Sequence, residues 1–154
     1  MSKRLIIIAH SPSDNTRRLQ DAVKRGATAP DIEGVETLVK AAFDATADDV
    51  LQADGVILGT TENLGYMSGA LKDFFDRSYY GMLDQSDAKP LAFWVRAGND
   101  GTGTRRAIES ITGGLRWRLV APPLICRGAF DETFIDQCYD LGMGMAAGLE
   151  AGVF

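Results

Sequence analysis

Four small polar residues follow the first apolar segment of the sequence and have the chemistry to bind an anion. They are Ser11, Ser13, Asn15 and Thr16, and they precede a segment whose apolar residues have helical spacing. The N-terminus of a helix offers unpaired amide donors and a partial positive charge, so an anion there gains hydrogen bonds from backbone and hydroxyls. Helix capping alone would explain only one or two of these residues. We therefore predict that residues 11–16 form a phosphate-binding site.

Two later segments, each between a predicted strand and a predicted helix, have features of ligand-binding loops. Residues 61–65 predict an irregular connection whose backbone is free to bind a ligand, and Gly65 permits a close approach or a positive φ. Residues 97–104 contain three glycines, which let a backbone come within hydrogen-bonding distance of a ligand. For this second loop, a flexible turn followed by a helix cap at Thr102 or Thr104 remains the alternative.

The elements that position these loops alternate regularly between apolar strands and amphipathic helices. Strands are predicted at residues 5–9, 35–39, 55–60, 89–95 and 118–126, the last with an interruption at Pro122 and Pro123. Helices are predicted at residues 15–27, 48–53, 70–80, 104–115 and 132–149. The alternation favours a single α/β domain over residues 1–154, with a doubly wound five-stranded parallel sheet in the order 2-1-3-4-5. Ligands bind at the carboxyl ends of such strands, where the three loops would meet.

These loops lack the motifs of the commonest nucleotide sites. Neither G-x-G-x-x-G nor G-x-x-x-x-G-K-[ST] follows the first strand, and its loop contains no glycine. A phosphoacceptor receiver domain would have the same strand order, but it would place acidic residues where this chain has His10–Ser11 and Gly59–Thr60. His10, the single histidine, is interpreted as structural because the sequence shows no partner for it.

Composition and charge exclude further classes of function. The chain has 154 residues, of which 45% are hydrophobic and 24% charged, as expected of a globular domain, and its net charge is −5. An acidic chain repels a phosphate backbone, so we expect no nucleic-acid partner. Cys126 and Cys138 lack metal-ligand spacing, so we expect no metal site, and we interpret both as reduced core residues of a cytoplasmic protein. No apolar stretch approaches the length of a membrane span.

Residues 59–76 resemble the flavin loop and following helix of flavodoxin-like NAD(P)H:quinone oxidoreductases and NAD(P)H-dependent FMN reductases. The similarity is close at Gly65, Met67-Ser68-Gly69, Lys72, Phe74 and Asp76. Residues 11–16 resemble the flavodoxin phosphate loop in their Ser-x-Ser-x-Asn-Thr core. The family usually has a proline where this chain has Thr61. The resemblance spans most of the chain and implies a flavodoxin-like fold with FMN as cofactor.

The resemblance also implies which part of FMN each loop would hold. The phosphate would lie at residues 11–16, and the isoalloxazine ring would pack on Leu64 and Tyr66, although Tyr66 is equally well explained as a surface tyrosine. The loop after the fourth strand would approach the ring and the ribityl chain or phosphate. The residues predicted to bind the cofactor are Ser11, Ser13, Asn15, Thr16, Thr61, Glu62, Asn63, Leu64, Gly65, Tyr66, Ala97, Gly98, Asn99, Gly101 and Gly103.

Three arginines near these loops have two interpretations. Arg96, at the end of the fourth strand, and the pair Arg105–Arg106, just after its loop, have the charge to neutralise a bound anion. For the pair, a solvated helix face is the favoured interpretation.

The function that this resemblance implies is an FMN-dependent oxidoreductase. It would take hydride from NAD(P)H and pass electrons to a quinone or a similar small-molecule or protein acceptor. Since the flavin carries the redox chemistry, we predict no catalytic side chain. A flavodoxin-type electron carrier, which the acidity fits, and a flavodoxin-like domain that has lost its flavin remain open. The loop after the fourth strand lacks the aromatic residue that commonly stacks on the flavin of carriers, which favours the reductase. The sequence is also compatible with a homo-oligomer.

Overall fold

The computed structural model describes residues 2–154, which form seven strands and five helices. The strands are β1 (Lys3–Ala9), β2 (Val35–Ala41), β3 (Gly55–Asn63), β4 (Tyr66–Met67), β5 (Pro90–Ala97), β6 (Arg118–Leu119) and β7 (Leu124–Arg127). The helices are α1 (Asp14–Ala27), α2 (Ala47–Leu51), α3 (Gly69–Met82), α4 (Thr102–Gly114) and α5 (Thr133–Ala151).

The parallel part of the sheet has the order β2-β1-β3-β5, followed by β6 and β7, which both pair with β5. The predicted fifth strand is split into β6 and β7 because Pro122 and Pro123 lie between them and a proline has no N–H for the ladder. The predicted order 2-1-3-4-5 is therefore confirmed, with β6 and β7 sharing its last position. The short β4 is an addition, antiparallel to the end of β3.

Helices cover both faces of the sheet, which explains why its central strands are apolar throughout. In β1, Ile6 and Ile8 point into the core beneath α2, α3 and α4, whereas Leu5 and Ile7 point into the core beneath α1 and α5. Every one of these four side chains is at most 1% exposed. The doubly wound arrangement leaves the strand ends as the place where loops from both faces meet.

Two glycines allow α1 and α5 to touch through their backbones. A Cβ atom built on Gly26 would lie 2.0 Å from the carbonyl oxygen of Tyr139, and one built on Gly142 would lie 2.0 Å from that of Val23. Neither position could hold a side chain without separating the helices. This close packing fixes α1, and with it the loop that precedes it, against the body of the protein.

The two cysteines lie in this same core. Cys126 in β7 and Cys138 in α5 are free thiols, and both are fully buried. A hydrogen bond with Cys126, together with burial, raises the pKa of the Cys138 thiol.

Within residues 2–154, no helix is both long enough and apolar enough to cross a membrane.

Candidate functional site

The three loops singled out in the sequence follow neighbouring strands. β1 ends at Ala9, β3 at Asn63 and β5 at Ala97, and these strands lie side by side in the sheet. The amide of His10, which directly follows β1, donates to the carbonyl of Gly59 in β3 at 3.0 Å. This bond ties the start of the first loop to the neighbouring strand. The loops therefore meet at the carboxyl edge of the sheet, the position at which doubly wound folds bind ligands.

The first loop begins α1 with a capping box between Ser13 and Thr16. The amide of Thr16 donates to Ser13 Oγ at 3.2 Å, and the amide of Ser13 donates to Thr16 Oγ1 at 2.8 Å. The Thr16 hydroxyl donates in turn to the carbonyl of Ser13 at 3.0 Å. Capping therefore explains two of the four polar residues, Ser13 and Thr16, in line with the expectation that it would account for one or two of them. Ser13 Oγ also lies 2.9 Å from Thr16 Oγ1, and because the Thr16 proton is donated to the Ser13 carbonyl, the Ser13 hydroxyl is the donor of this bond.

The other two predicted phosphate ligands also have partners within the chain. Ser11 Oγ donates to Gln20 Oε1 at 2.7 Å, and Arg18 donates to Asn15 Oδ1 at 3.2 Å. The amides of Asp14 and Asn15, the first two of α1, have no acceptor among the described residues. The backbone of this loop is thus open to an anion, although most of its side chains are engaged.

Charged side chains surround the start of α1 in pairs. Arg17 is paired with Asp14, and Arg18 donates to Glu132 at 2.6 Å. Arg18 also lies over the ring of Phe130, 5.3 Å from its centroid. The positive charges of the first turn are therefore largely compensated by neighbours, and the field at the open amides comes mainly from the helix itself.

The second loop is a tight β-hairpin, and the prediction of an irregular connection is wrong. β3 continues to Asn63, turns at Leu64 and Gly65, and returns as β4. Both turn residues have positive φ, 52° for Leu64 and 75° for Gly65. A two-residue turn of this kind matches the twist of the strands and normally has asparagine or glycine at its first position. A leucine there is strained, since its Cβ crowds the backbone.

The side chain at the strained position is fully exposed to solvent. Leu64 has no cover at all, and Tyr66 beside it is 39% exposed. The hairpin is held in shape from within, because Thr61 Oγ1 donates to Asn63 Oδ1 at 2.8 Å and the Ser68 amide donates to Thr60 Oγ1 at 3.0 Å. The hairpin tip therefore presents an apolar surface at the edge where the three loops meet.

Glu62 joins the hairpin to the third loop. Its two carboxylate oxygens accept the amide of Asn99 at 2.8 Å and that of Gly101 at 2.9 Å. Gly103 completes the junction, since a Cβ atom there would lie 2.0 Å from the carbonyl oxygen of Gly65. These contacts leave the Asn99 and Gly101 amides without a hydrogen for a ligand, and they give Gly103 a packing role.

At the start of α4, the amides of Gly101 and Thr102 have carboxylate acceptors within the chain. The cap of α4 is Gly101, with φ of 70° and no side-chain hydrogen bond, so neither Thr102 nor Thr104 caps the helix. The Thr102 amide donates to Asp100 Oδ1 at 3.0 Å. Hydrogen bonds from Thr102, with a smaller contribution from the nearby Arg127 charge, hold the pKa of the Asp100 carboxyl below its usual range.

Arg96 has a structural role. It donates to the carbonyls of Ala97 and Cys126 at 3.0 Å each, and it lies over the rings of Phe130 and Phe134. It therefore ties β5 to β7 and to the start of α5. Within the described part of the chain, no group of three or more His, Cys, Asp or Glu side chains is arranged to hold a metal ion.

Comparisons with known proteins bear on this edge of the sheet. The family model described as NADPH-dependent FMN reductase matches residues 17–122, a range that begins just after the first loop. A curated relative, a flavodoxin from Aquifex aeolicus (strain VF5), is 32% identical over 108 residues, which are 70% of this chain. The match spans 57% of the length of that relative.

Solved structures share the fold at low sequence identity. A flavodoxin from the domain Archaea has a TM-score of 0.77 at 17% identity, with 95% of this chain and 98% of that chain covered. A flavodoxin described as WrbA-like, from Agrobacterium tumefaciens, has a TM-score of 0.68 at 16% identity, with 96% of each chain covered. These similarities establish the flavodoxin-like architecture over nearly the whole chain.

Proposed function

Because the chain belongs to the NADPH-dependent FMN reductase family, whose cofactor is FMN, we propose that it is an oxidoreductase that binds FMN at the carboxyl edge of its sheet. In this proposal residues 1–154 form one FMN-binding domain. The first loop holds the phosphate, and the hairpin tip and the third loop flank the ring. The electron donor is NAD(P)H, and the acceptor is a quinone or a similar molecule in the cytoplasm.

The observation that carries the proposal is the pair of amides at Asp14 and Asn15, which have no acceptor within residues 2–154. Two adjacent amides at the start of a helix of 14 residues suit a phosphate, which brings both charge and acceptors. Ser13 can add its hydroxyl proton by turning it from Thr16 Oγ1 to the phosphate, while its oxygen still caps the helix. Thr16 acts as a positioning residue, because its hydroxyl accepts the Ser13 amide and orients the loop.

The ring end of the site fits a flat apolar ligand. Leu64 offers a side chain with no protein neighbour covering it, and Tyr66 offers part of an aromatic face. Burying the Leu64 side chain beneath a ring would stabilise the complex by about 1–2 kcal/mol. Glu62, Asn99, Gly101 and Gly103 keep a role in this proposal as positioning residues, since they fix the hairpin against the third loop.

The division of labour follows from the chemistry of the cofactor. Bound FMN would supply the capacity to accept hydride and to release electrons, and the protein supplies binding, orientation and electrostatics. The strained turn at Leu64 is consistent with this role, because strain in a folded protein often lies at its ligand sites. The chain needs no acid–base side chain for such a reaction.

A second function, that of an electron carrier without a substrate of its own, is favoured by two observations. The curated relative from Aquifex aeolicus is a flavodoxin. The net charge of −5 also suits docking onto basic redox partners. The reductase remains the first proposal because the family model that matches the chain is one of reductases.

The test has two steps on the purified protein. Absorbance spectra with and without added FMN should show bound flavin, and anaerobic mixing with NADPH should then bleach it rapidly. Bound flavin that NADPH leaves unbleached would favour the carrier. A protein that takes up no FMN would contradict both functions and leave the domain that has lost its flavin.

A further inference from the structure

A cleft of about 310 Å³ lies between the start of α4 and the end of β7. Its polar walls come from Asp100 and Thr102 at the start of the helix, from Arg105, Arg106 and Glu109 along it, and from Arg127 at the strand end. Gly101 and Ile125 also line it. The volume is at the lower end of the range for small-molecule sites, enough for part of a nucleotide.

The charges in this cleft are not balanced. Arg105 donates to Glu109 at 2.6 Å, so that pair is neutral. Arg106 and Arg127 form no ion pair within residues 2–154. Asp100 is the remaining carboxylate, and it is engaged by the Thr102 amide. The cleft therefore carries a net positive charge in a chain whose net charge is −5.

Arginine side chains are suited to one class of ligand group in particular. A guanidinium presents parallel N–H donors that match the oxygens of a phosphate, and two arginines on opposite walls can hold one phosphate from both sides. Arg106 stands on α4 and Arg127 on β7, which are the two walls of the cleft. The apolar Ile125, which also lines the cleft, suits a sugar or base attached to the phosphate.

The position of the cleft relates it to the proposed flavin site. Both include Gly101, at the end of the loop that follows β5. The strand order β1-β3-β5-β7 puts the cleft on the side of that loop away from the phosphate site at α1. A ligand held in the cleft would therefore approach the ring from the side opposite to the FMN phosphate.

We propose that this cleft binds a phosphate group of the dinucleotide electron donor, with Arg106 and Arg127 as its ligands. The inference rests on the proposed reductase function and adds a donor site to it. Two phosphates of the donor have this chemistry, the 2′-phosphate that only NADPH carries and the pyrophosphate that NADH and NADPH share. The 2′-phosphate source predicts a preference for NADPH, whereas the pyrophosphate source predicts none.

The experiment uses calorimetric titration of the purified protein with two fragments, adenosine 2′,5′-bisphosphate and adenosine 5′-diphosphate. The doubly substituted variant Arg106→Ala/Arg127→Ala should bind at least one fragment about tenfold more weakly than the unmodified protein, because two charge-assisted contacts are lost. Lys24→Ala/Arg118→Ala is the matched control. It removes the same charge from two exposed residues outside the cleft, and it should bind as the unmodified protein does.

The two fragments separate the sources of the phosphate. Weakening confined to the 2′,5′-bisphosphate assigns the cleft to the 2′-phosphate, and weakening of both assigns it to the pyrophosphate. Equal binding by variant and control, or no binding of either fragment to the unmodified protein, would overturn the inference. Neither fragment binding nor its loss depends on flavin, so the FMN spectra test the proposed function separately.

Discussion

The N-termini of α1 and α4 lie at the same edge of the sheet, yet they are satisfied in opposite ways. At α1 the cap is made by neutral hydroxyls, and the first two amides have no acceptor in the described part of the chain. At α4 two carboxylates from the chain itself, those of Glu62 and Asp100, accept the amides of Gly101 and Thr102. The start of α1 is therefore open to an anion from outside the chain, whereas the start of α4 is already bound by two carboxylates of the protein.

This difference explains why the loop before α1 and the loop before α4 have different roles, although both lie at the same edge of the sheet. Carboxylates that accept the amides of a helix start occupy the donors that an outside anion would need there, and they anchor the chain that supplies them. Glu62 accepts the amides of Asn99 and Gly101 and so fixes the hairpin against the start of α4. The hairpin in turn places Leu64 at the edge of the site. The open start of α1 is left as the phosphate site in our proposal.

Adding charge at the open terminus should have the largest effect. Ser13→Asp keeps a good N-cap, since aspartate caps as well as serine, but it places a negative charge beside the amides. We expect its dissociation constant for FMN to rise at least about 30-fold, by fluorescence titration. Ser13→Asn keeps the cap without the charge and should change affinity less than about threefold. Similar affinities for both variants would show that the phosphate lies elsewhere.

Removing the internal anion at α4 comes next in size. Glu62→Gln retains one acceptor for the two amides, so the free energy of unfolding in urea should fall by about 1–2 kcal/mol. Glu36→Gln is the control, because Glu36 is exposed and its ion pair with Arg4 is long, at 3.9 Å. Its unfolding free energy should change by less than about 0.5 kcal/mol. Equal losses in the two variants would mean that Glu62 does not anchor the hairpin.

The strained turn should give effects of opposite sign on stability and on binding. Leu64→Asn places the preferred residue at a position with φ of 52°, so stability in urea should rise by about 1 kcal/mol. The same change removes apolar surface from the ring site, so FMN should bind about threefold to tenfold more weakly. Leu64→Gly should show the same two changes as Leu64→Asn, a higher stability in urea and a weaker affinity for FMN. If the variant is more stable but binds FMN with unchanged affinity, Leu64 does not contact the flavin ring.

The smallest expected effect concerns the acidic residue already present at the open terminus. Asp14 lies at the first position of α1 and is paired with Arg17, so it partly opposes a bound phosphate. Asp14→Asn should tighten FMN binding about twofold to fivefold. Asp21→Asn removes a similar pair, with Arg25, two turns further along the same helix. That control should leave the affinity for FMN unchanged, and an equal gain in both would indicate only a general charge effect.

The sequence was sufficient to predict the architecture because periodicity is a strong local signal. Alternating apolar runs and amphipathic segments predict the five-strand order that the structure confirms, and the interruption at Pro122–Pro123 marks the split between β6 and β7. The family resemblance at residues 59–76 is likewise confirmed, and with it FMN as the cofactor of the family. The residues that bind FMN in this chain remain predictions.

The site could not be predicted in detail because its contacts join loops that are distant in sequence. The bonds from Asn99 and Gly101 to Glu62 span 37 and 39 positions, so no local pattern reveals them. The hairpin was missed because Leu64-Gly65 lacks the asparagine or aspartate that normally signals such a turn. Arg127 was not among the predicted site residues, although it is the last residue of β7 and so lies at the same carboxyl edge of the sheet as the three predicted loops.

The most direct test of the central claim compares the affinities of the unmodified protein for FMN and for riboflavin, which lacks the phosphate. If the amides of Asp14 and Asn15 bind the phosphate, FMN should bind at least about 100-fold more tightly than riboflavin, as two or more charge-assisted hydrogen bonds require. Ser13→Asp should reduce that ratio towards one. Equal affinity for the two flavins in the unmodified protein would contradict the account.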